Sequence, residues 1–170
     1  MSEKATDSLF QKQKNERPKI DDVISLVLSG DNLKNAQSFI AFLRESKMSI
    51  QWGSTNSWAV NYKSKRVCYI RISGTANYHN LSDNSWHISP HFNYGNVDCY
   101  NDFSDEKSKE FVWANIKYCY NCSNCGPGSH TTILGKDFDN VCHNQIVIIN
   151  PNAETLECAK KMIEVIKNKV

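Results

Sequence analysis

The chain has 170 residues, 40% of them hydrophobic and 22% charged, a balance that excludes a disordered polyampholyte and a membrane bundle and suits one domain with a real core. Twenty Lys and Arg against eighteen Asp and Glu leave a net charge of +2. That small excess is already present in residues 1–20 (Lys4, Lys12, Lys14, Arg17 and Lys19 against Glu3, Asp7 and Glu16), which disfavours a partner held by phosphate contacts such as nucleic acid.

Residues 1–18 are polar and end at Pro18, the pattern of a mobile tail ahead of a single domain over 19–170. Asp21 or Asp22 can cap a short helix through Val23, Ile24, Leu26, Val27 and Leu28, with Gly30 closing it. Asp31 or Asn32 then restarts a second helix, whose Leu33, Ala36, Phe39, Ile40 and Leu43 recur at helical spacing. Trp58, Val60 and Tyr62 alternate along a strand, Ser64-Lys65 makes a turn, and Arg66–Ile72 returns as the second arm of a hairpin. Gly74 to Ser85 reads as a polar loop. Trp86–Phe92 alternates again, with Pro90 suggesting an edge or a bulge, and Val97–Tyr100 can add a short strand.

Ser104-Asp105-Glu106 opens a helix in which Phe111, Ala114 and Tyr118 line up. A cysteine-rich loop follows from Cys119 to His130. Thr131–Leu134 and Gln145–Ile149 read as strands, and Asn150-Pro151 opens a last helix with Leu156, Ala159, Ile163 and Ile166 as its buried stripe. Helices, strands, a helix, strands and a helix in that order predict an α+β fold with a mainly antiparallel sheet packed by N-terminal and C-terminal helices.

No run of 18 apolar residues occurs, and Met1–Asp7 lacks the apolar core of a secretory signal, so a cytoplasmic protein with no membrane association is expected. In that compartment seven cysteines point to metal or redox chemistry rather than a disulfide framework. The spacing that carries chemistry is Cys119-x2-Cys122-x2-Cys125, with Cys142 further on. Thiolates two residues apart in a turn can reach one ion, a returning strand can supply the last ligand, and zinc takes four such ligands in a tetrahedron. Gly126, Pro127 and Gly128 give the loop its turn residues. His130 and His143 are alternative fourth ligands.

Three other readings stay open. The thiols can simply be reduced and partly buried. An iron–sulfur cluster fits less well, because Ser129 stands where the bacterial ferredoxin run needs its fourth cysteine. A redox dithiol at Cys122 and Cys125 lacks the strand-to-helix setting of such motifs. Cys68, Cys99 and Cys158 lie outside the cluster and read as small buried apolar residues.

His79, His87 and His91 tempt a catalytic reading. On one strand, however, His87 and His91 stand about 13 Å apart at roughly 3.3 Å per residue, so they read as exposed groups on a polar face. No paired carboxylates, nucleophile elbow or phosphate loop is identifiable, and whether any reaction is catalysed stays open. The aromatic load, with Trp58, Tyr62 and Trp86 at its centre, is mostly core; it could also line a pocket for a small molecule or a protein partner. Lys63, Lys65, Arg66 and Arg71 beside those aromatics could form a single-strand binding face.

The stretch from Cys119 to Lys169, with Cys-x2-Cys-x2-Cys, Gly126-Pro127-Gly128, Thr132–Lys136, Val141-Cys142 and Asn150-Pro151, resembles uncharacterised small bacterial cysteine-rich proteins. The upstream Trp-rich hairpin resembles YdhG-like α+β domains. The resemblance implies a bacterial α+β protein and assigns no active site. The expected function is a binding module with a structural zinc, the competing classes being a zinc-dependent enzyme and a cysteine redox sensor.

Overall fold

The computed structural model describes residues 11–72, 84–91, 103, 105–120 and 126–170. The expected strand Val97–Tyr100 and most of the loop from Gly74 lie outside the described residues.

Helix α1 occupies residues 11–16 and α2 spans Ile20–Val27. The first ten residues of the expected tail lie outside the described residues, while the remainder is docked on the first hairpin. Gln13 is buried there, and the Trp58 indole N–H donates to the Pro18 carbonyl at 3.0 Å.

Both ends of α2 differ from the sequence expectation. The helix begins at Ile20, where the Lys19 amide donates to Asp22 Oδ2 at 3.2 Å, so the acid works from inside the first turn. Asp21 pairs with Arg44 instead. Gly30 does not close α2 but opens α3 (Gly30–Glu45) with φ +58°. The Ser29 amide donates to Asn84 Oδ1 at 2.7 Å, which holds the junction extended and separates the two helices. Ala36, Phe39, Ile40 and Leu43 are the buried face of α3, as their spacing predicts.

Strand β1 (Ser49–Ser54) is not announced by its sequence, because Ser49, Gln51, Gly53 and Ser54 dilute the alternation of Ile50 and Trp52. The hairpin of β2 (Ser57–Tyr62) and β3 (Lys65–Ile72) turns at Lys63-Ser64, one residue earlier than expected. Both turn residues have positive φ (46° and 67°), the conformation whose twist matches a tight hairpin. β4 (Trp86–Pro90) and the two-residue β8 (Ile148–Ile149) complete an antiparallel sheet in the order β1-β2-β3-β4-β8. Pro90 is tolerated between neighbours because β8 reaches only His87 and Ile88, so no ladder bond is missing on that side.

Cross-strand partners share a face, which separates the sheet cleanly. Trp58, Val60, Cys68, Ile70, Ile72, Trp86 and Ile88 form the inner face and are all buried. Helices α3 and α5 (Ala153–Asn168) cover it, with the Phe39 ring 6.0 Å from that of Trp86. Asn61, Ala59 and Ser57, with their partners Arg66, Tyr69 and Arg71, form the outer face. An antiparallel sheet with one packed face and one polar face is the expected economy for such a pattern.

Helix α4 (Glu106–Ala114) starts as the sequence predicts, with Asp105 accepting from the Ser108 amide at 2.9 Å. It stops early. Tyr118, expected on its stripe, is exposed on β5 (Ile116–Tyr118). β6 (Ser129–Ile133) and β7 (Lys136–Ile146) form a second hairpin through Leu134-Gly135, again with both φ positive. These three strands form a sheet in the order β5-β7-β6.

The expected single strand Gln145–Ile149 is divided between the sheets. Val147 stands at the crossing, its amide donating to the Asn115 carbonyl at 3.1 Å. The last helix is capped by Asn152, whose Oδ1 accepts from the Thr155 amide at 2.9 Å. Asn150 is freed from capping and accepts from the Trp86 amide at 2.9 Å. Leu156, Ala159, Met162, Ile163 and Ile166 are buried. The fold is α+β with two antiparallel sheets around one apolar cluster. Among the described residues no helix is long and apolar enough to cross a membrane.

Candidate functional site

The cysteine-rich loop leaves the second sheet at β5 and returns at β6. Tyr118 pairs with Val141. Cys119 directly follows β5, and Cys142 lies on β7 one residue past Val141; both are buried. The Cys119 amide donates to the Asn140 carbonyl at 2.7 Å, and Asn140 Nδ2 donates to the Cys119 carbonyl at 2.9 Å. Asn140 occupies a left-handed position (φ 57°) where two residues of β7, Asp139 and Asn140, face one of β6, His130, a bulge that Asn tolerates better than most residues.

Across the loop, Cys119 Sγ lies 3.9 Å from the Gly126 carbonyl oxygen. The chain thus closes back on Cys119 where it re-enters the described residues at Gly126.

Cys122 and Cys125 lie outside the described residues. Among the described residues no three His, Cys, Asp or Glu side chains converge. His130, an alternative ligand, is committed elsewhere: its Nδ1 is 2.7 Å from Asp139 Oδ1 on the exposed face of the hairpin. That hydrogen bond raises its pKa above the ordinary histidine value, which favours the protonated form that cannot ligate a metal. His143 is exposed on β7.

A second arrangement lies on the outer face of the five-stranded sheet. Val60 pairs with Cys68 but Asn61 pairs with Arg66, so Val67 is an extra residue in β3. By simple alternation Arg66 would share the inner face with Cys68. The bulge turns it to the outer face beside Tyr69 and Arg71. Its guanidinium carbon sits 4.5 Å from the Tyr69 ring centroid, and that of Arg71 sits 5.3 Å away. Arg66 Nε donates to Asn61 Oδ1 at 2.8 Å, and Arg71 Nε to Ser57 Oγ at 3.2 Å.

Ser57, Arg66, Tyr69 and Arg71 line a cavity of about 540 Å³ that also takes in Gln51, Trp52 and His91, with no Asp or Glu in its described wall. The His91 ring meets Tyr69 edge-on at 6.3 Å. Burial first, and the nearby Arg66 charge second, lower its pKa below the ordinary value of 6.5, so the imidazole is neutral at neutral pH.

The other predicted ligand-binding residues are placed differently from one another. Trp58 and Trp86 belong to the core, 1% and 0% exposed, Trp86 against Phe39 of α3 and Trp58 with its indole N–H on the Pro18 carbonyl. Tyr62 is half-buried at the end of β2 with Lys63 and Lys167 both 5.2 Å over its ring. His87 is not exposed as expected but fully buried, even though it shares the outer face with Arg71. His79 and Cys99 lie outside the described residues. Cys68 is buried as expected, which pushes its thiol pKa up, and Cys158 is half-buried. Cys158 borders a smaller cavity in which Lys107 pairs with Glu154 and Lys161 with Asp105, while Glu157 pairs with Lys160 outside the lining.

Sequence reasoning grouped Arg66 and Arg71 with aromatic neighbours. It missed Gln51 and Ser57 and read His91 as an exposed group apart from them, since nothing in Arg66-Val67-Cys68 signals a bulge. No protein-family model matches this chain, and no curated protein or solved structure does.

Proposed function

We propose that the chain is a small-ligand-binding module whose cysteine-rich end is held by a structural zinc, with Cys119, Cys122, Cys125 and Cys142 as ligands. The observation that supports the metal reading is the loop closure: Cys119 Sγ lies 3.9 Å from the carbonyl of Gly126, and the Cys119 amide is bonded to Asn140, two residues before Cys142 on β7. Four thiolates would leave no open coordination position, so the ion would staple rather than catalyse. It would also couple folding of the second sheet to metal and pH, because each thiol must lose its proton to bind. Such a site belongs in a reducing compartment, the cytoplasm in this reading.

The ligand-binding part rests on the outer face of the first sheet, where Arg66, turned outward by the bulge, joins Tyr69 and Arg71 around a cavity of a size that suits a small molecule. The metal test is Cys122→Ser, with metal content and thermal stability measured on the same sample. Loss of zinc together with a lower Tm is expected. Retention of both would overturn the assignment.

A further inference from the structure

We infer that the outer-face cavity binds a small aromatic monocarboxylate, its carboxylate received by the guanidinium of Arg66. This ligand class rests on the cavity being the module's binding site and adds the chemistry that site selects.

Arg66 is held along its length and uncommitted at its tip. The bulge at Val67 turns it onto the outer face. Its Nε donates to Asn61 Oδ1 at 2.8 Å, and its guanidinium carbon lies 4.5 Å from the Tyr69 ring centroid. Among the described residues it makes no other hydrogen bond and no ion pair, whereas Arg44 is spent on Asp21. Two neutral partners fix the plane of the Arg66 fork without cancelling its charge, so little rotamer freedom is left to lose on binding. The terminal N–H groups of such a fork match the two oxygens of a carboxylate.

Charge sets the valence of the ligand. No Asp or Glu stands in the described wall of the cavity. Arg71 lines the same cavity but has a further interaction of its own, so the grip falls to Arg66 alone. One fork with one charge suits a carboxylate. A phosphate monoester, at about −1.5 to −2 near neutral pH, would bring a second charge with no second cation to meet it. The neutral His91 on the wall adds no positive charge.

The floor sets the shape of the rest. Gly53, Ser57 and Ala59 carry the smallest side chains of the lining. A Cβ on Gly53 would stand 4.0 Å from the Ala59 Cβ, so these two form one patch of the outer face. Short side chains there leave a low, flat strip of sheet on which a planar ring can lie. The cavity, about 540 Å³, has room for that ring as well as the carboxylate.

The test is calorimetric titration of the full chain with benzoate, its neutral counterpart benzamide, acetate and phenyl phosphate, repeated on Arg66→Gln, Arg66→Lys and Gly53→Ala. Saturable binding of benzoate is expected, about tenfold tighter than that of benzamide and tighter than that of acetate or phenyl phosphate. Arg66→Gln should weaken benzoate about tenfold and leave benzamide unchanged, which also shows that the cavity is intact. Arg66→Lys should fall between, because it keeps the charge and loses the fork. In Gly53→Ala the new Cβ meets only the Ser57 carbonyl oxygen at 3.5 Å and the Ala59 Cβ at 4.0 Å, so the chain should fold normally and bind benzoate more weakly with acetate unaffected. Equal binding of benzoate and benzamide, equal binding of benzoate by Arg66→Gln, preference for phenyl phosphate, or no binding of benzoate overturns the inference.

Backbone amide NMR separates that failure from failure of the pocket itself. If benzamide shifts the amides of Gly53, Ser57 and Ala59 while benzoate binds no more tightly, the carboxylate inference falls and the pocket stands. If neither shifts them, both fall.

Discussion

Asn140 grips Cys119 through both of its polar backbone groups: the Asn140 carbonyl accepts from the Cys119 amide at 2.7 Å, and the Asn140 side chain donates to the Cys119 carbonyl at 2.9 Å. The first residue of the cysteine spacing is thereby fixed to the strand that carries the last one, Cys142. Preorganisation of this kind lowers the ordering cost of closing the loop on the proposed metal.

Replacing Asn140 by alanine should therefore act twice. One hydrogen bond is lost, at about 1 kcal/mol, and alanine tolerates the left-handed backbone less well, at roughly 1 kcal/mol more. Urea unfolding of Asn140→Ala should show a lower midpoint with an unchanged slope. Asn140→Gly, which restores backbone freedom only, should recover part of the loss. An unchanged midpoint in Asn140→Ala would remove the clamp from this explanation.

Gly128 is constrained for a different reason. A Cβ there would lie 2.7 Å from the backbone carbonyl atoms of Asn140, and a backbone neighbour cannot rotate away. Gly128→Ala should destabilise the chain by about 1–3 kcal/mol, in the range of overpacked sites. Full stability by thermal denaturation would mean that β6 and β7 approach less closely.

Gln13 anchors α1 to the first hairpin. Its Oε1 accepts from the Asn56 amide at 2.9 Å and from the Trp52 indole at 3.3 Å, while its Nε2 donates to Asn56 Oδ1 at 2.7 Å. Asn56 sits at φ 52° in the β1–β2 turn. Gln13→Ala leaves a buried amide without its acceptor and should cost about 1–3 kcal/mol. Hydrogen exchange at the Asn56 amide should speed up markedly. Protection equal to wild type would show that the contact is dispensable.

The His91 environment makes a pH prediction. Its folded pKa lies below 6.5, so between those two values the unfolded chain binds more protons. Stability from this group is present above pH 6.5 and is lost as pH falls through 6.5 toward the folded pKa. An NMR titration of the ring should give a midpoint below 6.5, and His91→Gln should flatten the stability profile in that window. A midpoint at or above 6.5 would contradict the buried, cation-flanked setting.

How much of this is legible in the sequence depends on how local the determinant is. The stripes of α3 and α5 are written in apolar spacing, and Phe39, Ile40, Ile163 and Ile166 are buried accordingly. The hairpin β2–β3 is likewise readable from alternation, apart from one residue in its turn. Helix boundaries are less readable because they are set by distant partners: Asn84 separates α2 from α3, and Asn150 turns to Trp86 and leaves the cap to Asn152. The division of Gln145–Ile149 between two sheets depends on Asn115, far away in sequence.

The candidate sites divide in the same way. The cysteine spacing is visible in one dimension, whereas the clamp by Asn140 is a bulge feature. The face on which Arg66 emerges depends on a register shift at Val67 that no residue type there announces. Trp58 and Trp86 show the converse, since residue type alone does not separate a core aromatic from one lining a pocket.

The most direct measurement is elemental mass spectrometry of the chain purified without added metal and without a metal-affinity column. About one zinc per chain is the predicted result, lost in Cys122→Ser. Absence of metal, with all seven cysteines titrating as free thiols, would contradict it.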